Sequence, residues 1–142
     1  MDKYYIIGIA AAAITVCTTT AIIVASHINK RSKLVDELFQ IRDDLKNDCD
    51  IIKDAQEEIP AAVTCPADQK FISVANKALE FANTTIPLYT RLDEDMSKLD
   101  IEELKTNIES FKEALATAEM YTTAIDAARK DMADSRKNPS NL

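Results

Sequence analysis

DIEELKTNIESFKEALATAEMYTTAIDAARKDM, residues 100–132, is the stretch that decides the fold. Ile101, Leu104, Ile108, Phe111, Leu115, Ala118, Thr122 and Ile125 recur at three- and four-residue steps, so one side of a helix is apolar over seven turns. Met132 extends the stripe, and Arg129 interrupts its last repeat. Asp100 and Glu103 stand three apart just before this run, the spacing at which each side chain reaches the other's free amide at a helix start. The spacing predicts a helix to about Arg136, with NPSNL, residues 138–142, as a tail.

The same periodicity appears twice upstream. From Ser32, Leu34, Leu38, Ile41, Leu45, Cys49 and Ile52 form a stripe opposite Asp43, Asp44, Asp48, Asp50, Asp54, Glu57 and Glu58, predicting an amphipathic helix to about Ile59 that Pro60 ends. Pro66 suits the first turn of a second helix, where its missing N–H is no loss, and Asp68 complements the helix dipole there. Phe71, Val74, Ala75, Ala78, Leu79 and Ala82 continue that face, and Leu88, Leu92, Met96 and Leu99 resume it beyond Pro87. An interior proline clashes with the carbonyl four residues back, so a kink or break is expected at Pro87.

The chain of 142 residues has one glycine, Gly8, and four prolines, too few turn formers for a sheet. The expected fold is all-α: an antiparallel three-helix bundle over residues 32–137, or four helices if Pro87 divides the second. Pro60, Pro66, Pro87 and the Asp100 cap mark reversals within one chain, which favours a monomeric bundle over an extended coiled coil pairing the last helix between copies.

Ahead of the bundle, residues 4–26 carry no charge, with Lys3 before them and Lys30, Arg31 and Lys33 after. At ~1.5 Å per residue a helix of this length reaches roughly 35 Å, enough to cross a bilayer, so residues 1–31 are expected to be a single transmembrane anchor with its basic flank. Gly8, Ala12, Thr15 and Thr19 fall on one side of that helix, a face on which another helix can approach closely. Lys30, Arg31 and Lys33 would sit among headgroups and hold the bundle on the cytoplasmic side. The lipid bilayer is then one expected partner. Cleavage as a signal peptide after Ser26 is a lesser alternative, given the length of the apolar run.

Beyond Arg31, 14 basic residues face 23 acidic ones. A surface this negative repels phosphate backbones, so no nucleic acid is expected as a partner. The cysteines, Cys17, Cys49 and Cys65, have neither the spacing nor the accompanying histidines of a zinc site, and a Cys49–Cys65 bridge would need an oxidising compartment and a loop folded back along the helix. The only histidine, His27, lies at the end of the apolar run, which leaves the bundle without a Ser-His-Asp or Cys-His nucleophile or a Glu-x-x-His di-iron pattern. Asp93-Glu94-Asp95 opens like a calcium loop, but Lys98 and Leu104 occupy the positions that need glycine and a bidentate carboxylate. Asn83-Thr84-Thr85 matches a glycosylation acceptor that matters only in a eukaryotic lumen. No catalytic, cofactor-binding or metal-binding residue and no small-molecule substrate is expected.

These features predict a membrane-anchored helical scaffold or protein-interaction module without catalytic activity, with a protein partner or self-association. The alternative is a helical accessory protein of lysis, secretion or virion assembly on the envelope side, similar in layout alone to short phage inner-membrane spanins.

Overall fold

The computed structural model describes residues 21–137, with side chains from residue 28 onward. Three helices account for nearly all of it: α1, Ala21–Ala55; α2, Pro66–Asp95; and α3, Ile101–Lys137. Short 3-10 turns, Gln56–Glu58 and Met96–Lys98, tighten the ends of α1 and α2 before the chain reverses.

Cross-helix bonds fix the topology. Arg31 at the near end of α1 bonds the α2–α3 corner, and Gln56 Nε2 at its far end donates to the Ala75 carbonyl at 3.0 Å, so α1 and α2 are antiparallel. Glu37 pairs with Lys112 and Glu58 with Arg129, so α1 and α3 run parallel. The result is an up-down-up bundle in which the contact of α1 with α3 is the most extensive.

Most of the buried residues are those the periodicity marks, while Leu34, Val74, Leu79, Leu88, Leu99, Ile101, Leu115 and Thr122 of the expected stripes are only half-buried and Ala55, Tyr89, Asn107 and Ala128 are buried beside them. Leu38, Ile41, Leu45, Cys49, Ile52 and Ala55 come from α1, and Leu104, Ile108, Phe111, Ala118, Ile125, Ala128 and Met132 from α3. α2 contributes Phe71, Tyr89 and Leu92 around a small-residue run, Ala75, Ala78 and Ala82, all fully buried. Side chains this short let α2 approach the larger residues of its neighbours without leaving voids. Asp100 and Glu103 form the expected reciprocal cap: Glu103 N donates to Asp100 Oδ1 at 2.8 Å and Asp100 N to Glu103 Oε1 at 3.0 Å.

Pro87 does not divide α2, which corrects the expectation of a break and of a fourth helix. Its ring is on the exposed side, where water can take the carbonyl it leaves unpaired, while Ala82, Thr85, Tyr89 and Leu92 keep the opposite side packed through the same turns.

The membrane anchor also needs correction. Among the described residues no helix is long and apolar enough to cross a membrane. The apolar start of α1, Ala21–Ala25, gives way within about a turn to His27, Asn29, Lys30 and Arg31, and from there the helix is amphipathic and packed on protein. The single-pass location, the cytoplasmic placement built on it and the bilayer as partner therefore fall. Residues 4–20 of the expected anchor, with its packing face Gly8, Ala12, Thr15 and Thr19, lie outside the described residues.

Candidate interaction surface

The α1–α2 connection is held by one carboxylate. Asp68, in the first turn of α2, is fully buried. Its Oδ2 accepts from the Thr64 amide at 2.9 Å and the Thr64 hydroxyl at 2.8 Å, and its Oδ1 accepts from Arg136 Nη2 at 3.1 Å. The Thr64 amide foremost, then the Thr64 hydroxyl, hold this carboxyl below the usual aspartate range against its burial; the Arg136 charge and the Cys65 side chain act in the same direction. The sequence places Asp68 at a helix start, but only the fold brings Thr64 and the last turn of α3 onto it.

This clamp fixes one wall of an open concavity of about 650 Å³, lined by Val63, Thr64, Cys65, Pro66, Gln69, Lys70, Ser73 and Val74. Val63 is 50% exposed at its rim, and Lys70 pairs across to Asp131 of α3 at 3.5 Å. A smaller depression of about 450 Å³ lies between α2 and α3 at Lys77, Glu80, Phe81, Thr84 and Tyr121, with the two rings tilted against each other at 5.5 Å.

Cys49 and Cys65 are both free thiols. Cys49 sits mid-core, where burial, then Asp48 and Asp50, push its thiol up to about 11; it is no nucleophile at neutral pH. Tyr89 is pushed up to about 12, by burial first and by Cys49, Asp50 and Asp93 after it. In the calcium-like stretch, Asp93 is paired with Arg42 of α1 and residues 96–98 are a 3-10 turn. Among the described residues no group of His, Cys, Asp or Glu side chains is arranged to hold a metal ion. Asn83 is exposed in the middle of α2.

The basic flank divides. Lys30 and Lys33 are exposed, whereas Arg31 is half-buried and donates to main-chain carbonyls of the α2–α3 corner. Nothing in the local sequence marks that role, because the acceptors are 65 to 68 residues away.

Along α1, Glu37 and Glu58 are neutralised from α3, and the Arg129 hydrogen bond lowers the Glu58 carboxyl. Asp50, Asp54 and Glu57 are exposed, and among the described residues they have no ion pair or hydrogen bond. Ile51, 43% exposed, lies among them, and Met120 of α3 is 65% exposed. This is a carboxylate-rich face with isolated apolar side chains.

No family model, curated protein or solved structure matches this chain.

Proposed function

We propose that the chain is a non-catalytic helical scaffold whose acidic face, carried by the second half of α1 and the 3-10 turn after it, docks a basic protein partner. The observation that carries this reading is the set of exposed carboxylates at Asp50, Asp54 and Glu57, none of them in an ion pair among the described residues, beside the half-exposed Ile51, whereas Glu37 and Glu58 are paired with α3. Clustered like charges self-repel in the free protein, and an oppositely charged partner relieves that while an apolar side chain at the centre adds contact area. The reading also accords with a bundle whose helices are fixed by cross-helix bonds, a surface that needs little rearrangement to bind.

An envelope-side helical accessory protein of lysis, secretion or virion assembly would use the same docking face. Charge reversal tests both. Proximity crosslinking and pull-down are compared between the native chain and Asp50→Lys/Asp54→Lys/Glu57→Lys. Partners retained by the native chain, lost on reversal and weakened by salt support docking; an identical set of captured proteins for the two chains counts against it.

A further inference from the structure

Cross-helix pairing along the α1–α3 seam changes character in its middle. At one end Lys112 Nζ lies 3.4 Å from Glu37, and at the other Arg129 Nε lies 2.6 Å from Glu58, both pairs of opposite charge. Between these levels the register of the Glu58–Arg129 pair, 71 residues apart, sets Asp48 of α1 level with the exposed Glu119 of α3, and the charges acting on Asp48 are Glu119 and Asp44 of its own helix, both negative. Asp44 already accepts from Gln40 Nε2 at 3.1 Å, and on α3 Lys112 is paired with Glu37 and Arg129 with Glu58 and Asp126. Asp48 Oδ2 is withdrawn from water and has no hydrogen-bond partner. A carboxylate oxygen buried without a donor is costly, and the group that removes the cost with least rearrangement is a proton.

We propose that Asp48 and Glu119 form an acid-operated latch between α1 and α3. In acid, Asp48 takes one proton from solvent onto Oδ2 and the new O–H donates to the Glu119 carboxylate, so the pair carries one negative charge instead of two and the seam closes. As the proton leaves, two carboxylates face each other across the seam and α1 loosens from α3 there. Burial foremost, then Glu119 and Asp44, hold the Asp48 carboxyl above its ordinary value. A carboxyl raised in the folded state gives stability that is complete below its unfolded value and is lost as pH rises through the folded value. The latch needs no docking partner, so it stands or falls separately from the scaffold reading.

The test is a carboxyl-carbon NMR titration of the full chain, with Asp48 assigned through its backbone, together with amide protection across Leu45–Ile52. The expected result is an Asp48 midpoint above the ordinary aspartate range that drops towards it in Glu119→Gln, with higher protection on the acid side in the native chain alone. A midpoint at or below the ordinary range, or one that Glu119→Gln leaves in place, overturns the latch. Asp48→Asn should raise thermal stability at neutral pH and flatten its pH dependence. Should that variant not fold, Glu119→Gln decides the question alone.

Discussion

The guanidinium of Arg31 caps the carbonyl of Leu99: Nε donates to it at 3.1 Å and Nη2 at 3.0 Å, with Nη2 also 3.0 Å from the Met96 carbonyl. The C-terminal carbonyls of a helix have no intrahelical donors, and a planar cation with several N–H groups can serve more than one of them. One residue of α1 thereby ties down the end of α2 and the entry to α3. Arg31→Ala should lower stability by about 1–2 kcal/mol, somewhat under the usual range for hydrogen bonds to a charged group because the site is partly wet. Arg31→Lys should recover only part of it, since an ammonium lacks the forked geometry. Urea denaturation of the two variants checks both statements.

Asp68 governs the opposite end. Its carboxyl lies below its ordinary value in the fold because the Thr64 amide, the Thr64 hydroxyl and Arg136 favour the charged form. A carboxyl depressed by folding contributes stability that is fully present above its unfolded value and is lost as pH falls through the folded value. Acid unfolding below the ordinary aspartate range should therefore be shallower in Asp68→Asn than in the native chain. Denaturation midpoints from neutral to strongly acidic buffer provide the comparison, and equal acid slopes would remove Asp68 from the account.

Pro87 is a built-in weakness of α2. It removes a backbone donor from the interior of the helix at an exposed position. Pro87→Ala should raise stability by about 1–3 kcal/mol, the span set by how far water already compensates the unpaired carbonyl. Thermal unfolding reads it directly, and a fall in melting temperature would show that the ring has a packing role.

The alanine run of α2 sets how closely the helices approach. Ala78 is fully buried, so Ala78→Leu must push α2 away from its neighbours or force strained rotamers, at a cost of about 1–3 kcal/mol. Leu79→Ala, one position round the helix and only half-buried, should cost less than a full core deletion of ~2–5 kcal/mol. Equilibrium unfolding of the pair separates close packing from mere hydrophobicity.

Periodicity alone determined where the three helices lie and which side of each is buried, because a 3.6-residue repeat of apolar side chains has one cheap solution in water. The Asp100–Glu103 cap was legible for the same reason: both partners are local in sequence. What the tertiary structure decided depends on groups far apart in the chain. Arg31 reads as a membrane flank until the corner carbonyls of Met96 and Leu99 are brought to it, and Asp68 reads as a dipole partner until Thr64 and Arg136 close around it. Asp48 belongs to a solvated acidic face by its spacing, and only the tertiary structure buries one of its oxygens without a donor. Pro87 reads as a break because propensity is local, whereas the packing that carries α2 through it comes from the two neighbouring helices.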